Sequence, residues 1–195
     1  MSSTAALSRP VLADAIPGAR VRDVLLVVAG ALLTAACAQI SIHVPGSPVP
    51  VTGQTFAVVL AGASLGSVRG GLSQLLYLAL GLVTPVYAGG TQGSGVLFGA
   101  SGGYIVGFVI AGFVIGAIAE RGGDRRVLSA FAAFALGQLV IFGVGVPWLK
   151  VSASLSWGSA IHEGFTIFIL GGVIKAALAG LLTPSAWRIL RVLNR

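Results

Sequence analysis

The stretch GYIVGFVIAGFVIGAIA at residues 103–119 contains no charged side chain. Its length is close to the roughly 20 apolar residues with which a helix crosses the hydrocarbon core of a bilayer. A soluble domain rarely carries so long an uncharged run, because too little polar surface would remain to face water. The stretch therefore predicts a membrane-spanning helix.

The composition of the whole chain supports the same class of protein. Of its 195 residues, 56% are hydrophobic and only 9% are charged, against about 25% in a soluble domain. These values exclude an ordinary cytosolic enzyme and a disordered chain, and the single cysteine, Cys37, excludes a disulfide scaffold. Six spanning helices would use about 120 residues, which leaves no length for a soluble catalytic domain.

Six apolar runs separated by glycine, proline and serine predict an all-α polytopic membrane protein with six transmembrane helices. We place them at 23–42, 55–67, 71–86, 103–119, 127–146 and 164–182. The membrane domain then spans 23–187, between a flexible cytoplasmic lead at 1–22 and a basic cytoplasmic tail at 188–195. A lipoprotein signal peptide ending at Cys37 is disfavoured, because Thr34 replaces the expected aliphatic residue and further spans follow.

The basic residues predict the orientation in the membrane. With both termini in the cytoplasm, the outer loops hold only Lys150, and the inner segments hold ten arginines, as the positive-inside rule requires. These are Arg9, Arg20, Arg22, Arg69, Arg121, Arg125, Arg126, Arg188, Arg191 and Arg195. Because the basic residues are scattered between apolar runs, the pI near 10.8 does not indicate a nucleic-acid partner.

Lys175 is the first candidate for chemistry, because it lies near the middle of the last predicted span. A lysine there costs about 2.5–3.5 kcal/mol unless it meets water or a partner, and no other span contains an acid apart from Asp23 at the very start of the first. Gly171 and Gly172 lie on the same helix face and leave space beside the ammonium. We therefore predict that Lys175 is a binding group in an interior cavity. The alternative is that its side chain snorkels to the membrane interface.

Two further segments could contact a ligand. The glycine-rich stretch from Tyr87 to Tyr104 lets the backbone approach a ligand closely, although a flexible connector would have the same composition. The proline-rich loop at 44–54 could form a lid or a stiff turn. No catalytic pair, HExxH motif or metal-ligand spacing is present, so neither catalysis nor a metal site is expected.

Seven segments together resemble the BioY family, which comprises the biotin-specific substrate-binding (S) components of energy-coupling factor (ECF) transporters. Their order and spacing carry the resemblance, which covers most of 24–182. The segments are PVTGQTFA at 50–57, LAGA at 60–63, GGLSQLLYL at 70–78, PVYAGG at 85–90, GGYIVGF at 102–108, GVPWL at 145–149 and IKA at 174–176.

The resemblance implies high-affinity biotin capture from outside by a six-helix S-component fold in the cytoplasmic membrane. It also implies a membrane T component and two cytoplasmic ATPases as partners, with biotin as cargo and no cofactor. Ala31 and Ala35, four residues apart, would face the T component, although small residues at this spacing also suit internal packing. Many family members carry Gly-Asp where this chain has Gly171-Gly172.

For biotin, the expected polar and stacking contacts are Tyr87, Gln92, Tyr104 and Thr52. Lys175 is expected to provide the charged contact, and Trp148 to close the pocket wall. Alternative functions are an S component for another small vitamin-like substrate, or a small channel or structural membrane protein. An intramembrane enzyme would need facing acids or histidines within the spans, which the sequence lacks.

Overall fold

The computed structural model describes residues 9–18 and 20–193, and within them it contains eight α-helices and one β-hairpin. The helices are α1 (Arg20–Ala38), α2 (Gln54–Leu65), α3 (Ser67–Val83), α4 (Ser94–Phe98), α5 (Gly102–Ala119), α6 (Val127–Ser152), α7 (Trp157–Gly164) and α8 (Ile169–Leu193). The hairpin pairs β1 (Ser41–Ile42) with β2 (Val51–Thr52) in antiparallel register.

Five helical stretches, containing α1, α3, α5, α6 and α8, are long and apolar enough to cross a membrane. The sixth helix of the bundle, α2, has 12 residues and is therefore about 18 Å long, short of the roughly 30 Å hydrocarbon core. The expected all-α membrane fold is confirmed, with α2 as the short second helix and the hairpin extending from its N-terminal end.

The centre of the bundle is α5, which packs against α2, α3 and α6. Glycines permit these contacts, because a Cβ atom on Gly116 would lie 2.3 Å from the backbone of Gly66 and Ser67. Similarly, a Cβ on Gly112 would lie 2.8 Å from the carbonyl oxygen of Gly70 on α3. The helices thus approach backbone to backbone, as small residues allow in membrane bundles.

Several helix boundaries in the structure differ from the predicted ones. The first span ends at Ala38 rather than at residue 42, because the chain turns into the hairpin. Helix α6 continues through Pro147 to Ser152, and α7 lies in the expected loop before the sixth span, which it overlaps only at Gly164. Helix α8 runs to Leu193, so residues 188–193 of the basic tail continue the helix. Hydropathy detects the apolar part of a helix, whereas hydrogen bonding carries the helix on into polar sequence.

The expectation of a flexible N-terminal lead is wrong for the residues that the structure describes. Val11 and Ala13 are only 2% and 4% exposed, and the backbone N–H of Arg9 donates to the carbonyl oxygen of Glu120 at 2.7 Å. Residues 20–22 belong to α1. Residues 1–8 and 19 lie outside the described part. The packed segment therefore closes one end of the bundle.

Ion pairs hold this segment in place. The Arg69 guanidinium contacts Asp14 at 2.6 Å and Asp23 at 3.0 Å, so it links the N-terminal segment, α1 and α3. Partial burial is the largest single effect and would raise the pKa of Asp14. The hydrogen bonds from Arg69 and the Val11 N–H, together with the positive charges of Arg69 and Arg22, outweigh it, and the pKa lies below its usual value.

The turn between α5 and α6 is tied to the end of α8. Trp187 donates its indole N–H to the buried carboxylate of Asp124 at 2.6 Å, and the Arg125 guanidinium lies 4.4 Å from the Trp187 ring centroid. Arg125 also donates to the carbonyl oxygen of Pro10. Arg9, Arg69 and Arg125, which were expected on the inner side, thus lie at one end of the bundle. We call this end the basic end.

We predict that Gly116→Ala destabilises the bundle, because the added methyl group would overlap the backbone of residues 66 and 67. Overpacking of this kind costs about 1–3 kcal/mol, which thermal unfolding in detergent should detect as a lower midpoint. Gly143→Ala in α6 is the matched control, since nothing lies within 4 Å of the new Cβ. Equal midpoints for the two variants would contradict the close approach of α5.

Candidate functional site

A cavity of about 440 Å³ lies at the end of the bundle opposite the basic end. It is enclosed by the hairpin segment, the glycine-rich segment after α3, and residues from α2, α5, α6 and α8. This volume falls within the range of about 300–1,000 Å³ that is typical of small-molecule sites.

One wall of the cavity is aromatic. Phe108 and Tyr104 come from α5, Phe142 from α6, and Phe168 from the 3-10 turn before α8. The Tyr104 ring centroid lies 6.2 Å from that of Phe142 and 6.4 Å from that of Phe168. These rings pack on one another, so they present a pre-formed apolar surface to a ligand.

Lys175 supplies the only Lys, Arg, Asp or Glu side chain that lines the cavity among the described residues. Its Nζ donates to the carbonyl oxygen of Thr52 at 2.6 Å and to the Thr55 hydroxyl at 3.2 Å. The ammonium therefore faces inward and joins α8 to the end of the hairpin and the first turn of α2. Without a carboxylate to neutralise it, this amine favours a ligand oxygen that carries negative charge or a carbonyl dipole.

A chain of hydrogen bonds fixes the hairpin. The Thr52 hydroxyl donates to Gln54 Oε1 at 2.6 Å, and Gln54 Nε2 donates to the Tyr77 hydroxyl. Tyr77 in turn donates to the carbonyl oxygen of Val86 at 3.2 Å. The hairpin, α2, α3 and the segment after α3 are thereby connected through buried groups.

The structure places Thr52, Tyr87 and Tyr104 in the cavity lining with Lys175, as the sequence suggested. Both tyrosine hydroxyls already have acceptors, however. Tyr87 donates to the carbonyl oxygen of Leu78 at 2.7 Å, and Tyr104 donates to that of Gly164 at 2.8 Å. These tyrosines therefore offer ring surface to a ligand, and their polar ends hold the scaffold.

The other two expected contacts need correction. Gln92 is exposed and does not line the cavity, although Thr91 and Gly95 of the same segment do. Trp148 lies behind the wall, where its indole N–H donates to the carbonyl oxygen of Gly99 at 3.0 Å. Gly99 lines the cavity, so Trp148 supports the wall without facing the interior.

The proposed partner-facing stripe also needs correction. Ala31 is 0% exposed and Ala35 is 8% exposed, and both belong to the core. Helix α1 packs against α2 and α3, and its leucines, such as Leu25 and Leu32, face outward instead. The structure thus favours the internal-packing alternative and leaves no surface at these alanines for a partner in this conformation.

Sequence reasoning missed several lining residues, among them Phe108, Phe142, Phe168 and Gln138. Phe142 and Phe168 resemble any other apolar residue of a span, so composition gave no signal. Gln138 lies in the middle of α6 and was detectable, because an uncharged polar residue within a spanning helix needs a partner. Its carboxamide Nε2 donates to the carbonyl oxygen of Gly172 on α8.

Within residues 9–18 and 20–193, no group of three His, Cys, Asp or Glu side chains could hold a metal ion. The arrangement instead combines a concave, mostly apolar surface with a few convergent polar groups, which is the usual form of a binding site. The fold and the cavity together define a multi-pass membrane protein that binds a small, partly polar molecule.

The particular family follows from comparison. The sequence matches the profile of the BioY family over residues 7–192, and the chain belongs to that family. It is 34% identical over 171 residues to biotin transporter BioY2 of Lactococcus lactis subsp. cremoris, covering 87% of this chain and 92% of the relative. It is 38% identical over 161 residues to the probable biotin transporter BioY of Pyrococcus horikoshii, covering 82% and 93% respectively.

A solved structure has the same fold. The crystal structure of the S-component for biotin from an ECF-type ABC transporter matches with a TM-score of 0.77 and 25% sequence identity. The match covers 88% of this chain and 95% of the other. The relatives are named as transporters, in agreement with the expectation that the chain is not an enzyme.

We predict that Tyr77→Phe lowers thermal stability more than Tyr87→Phe does. The first change leaves both Gln54 Nε2 and the Val86 carbonyl without the Tyr77 hydroxyl, whereas the second affects only the Leu78 carbonyl. Each buried group left unpaired costs about 1–3 kcal/mol. Thermal unfolding of the two variants in one detergent provides the comparison, and a larger loss for Tyr87→Phe would contradict the network.

Proposed function

We propose that the protein captures biotin from outside the cell as the S component of an ECF transporter. The observation that carries this proposal is the cavity, with its aromatic wall and single ammonium group, in a chain of the BioY family. Biotin matches such a cavity chemically, because it combines an apolar bicycle and tail with a ureido group and a carboxylate.

The residues of the cavity suggest how binding works. Phe108, Phe142 and Phe168 offer surface to the apolar parts of the ligand, and burial of that surface supplies a favourable, non-directional term. Lys175 supplies a charge-assisted hydrogen bond to a ligand oxygen, which also fixes its orientation. Thr52 holds the ammonium in place through its backbone carbonyl.

The two ends of the bundle support one orientation of the protein in the membrane. Placing the basic end in the cytoplasm satisfies the positive-inside rule and directs the cavity toward the outside. The chain contains no GxxxxGK[ST] phosphate-binding loop, so ATP-driven uptake would depend on separate ATPase subunits and a membrane T component. Because Ala31 and Ala35 are buried, that component would contact other surfaces of the bundle.

We predict that Lys175→Met weakens biotin binding about tenfold to hundredfold while the protein stays folded. Methionine nearly preserves length, but the ligand oxygen loses a charge-assisted hydrogen bond worth about 1.5–3 kcal/mol. Equilibrium binding of radiolabelled biotin to the purified chain measures the effect. Lys175→Arg should also weaken binding, because its planar fork replaces a compact ammonium.

The matched control for this prediction is Lys150→Met. Lys150 lies outside the cavity lining, with its Nζ 5.3 Å from the ring centroid of Trp157, and its loss should leave affinity unchanged. If Lys175→Met binds biotin as tightly as wild type, Lys175 has only a structural role. If the wild type binds no biotin but binds another vitamin-like molecule, the proposed cargo is wrong.

We predict that the cavity end faces the outside of the cell. Cysteine labelling in intact cells, in a Cys37→Ser background, tests this orientation. A cysteine at Ser94 should react with a membrane-impermeant thiol reagent, and one at Arg121 should react only after the membrane is permeabilised. Both side chains are exposed in the structure, at the cavity end and the basic end respectively. The reverse labelling pattern would place the cavity in the cytoplasm and contradict the proposal.

A further inference from the structure

Gln138 is a polar residue in the cavity whose hydrogen bonding is incomplete. It lies midway along α6, is 6% exposed, and lines the cavity. Its Nε2 donates to the carbonyl oxygen of Gly172. This bond fixes the orientation of the carboxamide, because the flipped side chain would place two oxygen atoms against each other.

The other end of the carboxamide, Oε1, is buried and has no hydrogen-bond partner among the described residues. Buried polar atoms without a partner are rare in folded proteins, and each calls for a physical explanation. Because Gln138 belongs to the cavity lining, a hydrogen-bond donor on a bound ligand is suited to complete this acceptor.

The backbone of Gly172 on α8 lies against Oε1. Gly172 has no side chain there, and a Cβ atom at that position would lie 3.0 Å from Oε1. Lys175 follows three residues later on the same face of α8. An unpaired acceptor on α6 and an ammonium donor on α8 thus share one wall of the cavity.

We propose that Gln138 Oε1 accepts an N–H hydrogen bond from the ligand, and that this contact makes the cavity selective for a head group with N–H beside a carbonyl. The inference rests on the proposed function. In biotin the ureido ring carries the N–H groups, whereas the ionised carboxylate has none. The ureido group therefore faces Gln138 and Lys175, its oxygen accepts from the ammonium, and the carboxylate lies toward the mouth.

Two isosteric analogues of biotin test this contact, each with a different ureido N–H replaced by a ring oxygen. In both analogues the ring oxygen weakens the carbonyl as an acceptor to the same extent, so this effect cancels in the ratio of their dissociation constants. The ratio then reports only the loss of the N–H that donates to Gln138. Competition with radiolabelled biotin on the purified full chain measures this ratio. We expect a ratio of about tenfold or more for wild type, as loss of a buried hydrogen bond requires.

The comparison is then repeated with two variants of Gln138. Gln138→Met keeps the length of the side chain but removes the acceptor, so the ratio should fall to within about twofold and biotin should bind about tenfold weaker. Gln138→Glu retains an acceptor oxygen, so it should keep the discrimination between the analogues. A purely structural role for Gln138 would weaken both analogues equally and leave the ratio unchanged.

A wild-type ratio near one overturns the inference without reference to any variant, and so does an unchanged ratio in Gln138→Met. Either result leaves biotin capture itself standing if the wild type binds biotin. Failure of the wild type to bind biotin would instead reject the proposed function. Size-exclusion elution and the thermal midpoint of each variant separate a lost contact from a lost fold.

Discussion

Backbone polar groups within the hydrocarbon must be paired, because no water is present there to replace a missing hydrogen bond. The structure depends on how the chain meets this requirement where it is not helical, in the hairpin and in the segment after α3. Side chains provide the partners. Lys175 donates to the carbonyl oxygen of Thr52, Tyr77 to that of Val86, and Trp148 to that of Gly99.

This requirement explains why the cavity wall has so few free polar groups. Several polar groups near the cavity donate hydrogen bonds to backbone carbonyl oxygens of the scaffold. They are the hydroxyls of Tyr87 and Tyr104 and the indole N–H of Trp148. Their rings remain as apolar surface, and Gln138 Oε1 stands out among the described residues as a buried acceptor in the lining with no partner. A site of this kind combines a large non-directional surface with a small number of directional contacts.

The sequence predicted the parts of the fold that hydropathy and charge control. The five long helices, the short second helix and the grouping of arginines near one end all follow from transfer free energies. The sequence did not predict the roles of small and amphipathic residues. Ala31 and Ala35 suit either a partner or the core, and only the path of α2 and α3 beside α1 decides between them.

The candidate site shows the same division. A charge at Lys175 is so costly in an apolar span that its inward position was predictable. The positions of Gln92 and Trp148 depend on the turns within 87–102, which the glycine-rich composition leaves undetermined. Phe142 and Phe168 could not be predicted as lining residues from the sequence, because apolar residues give no signal that separates a cavity wall from a lipid-facing surface.

The bonds of Lys175 also determine what ligand entry requires of the scaffold. An ammonium group has three protons, and Thr52 and Thr55 accept two of them. One proton therefore remains for an incoming molecule, which can be bound while both tethers stay intact. The same amine can therefore bind the cargo and hold the hairpin against α8 at the same time. Release of the cargo need not break the bonds to Thr52 and Thr55.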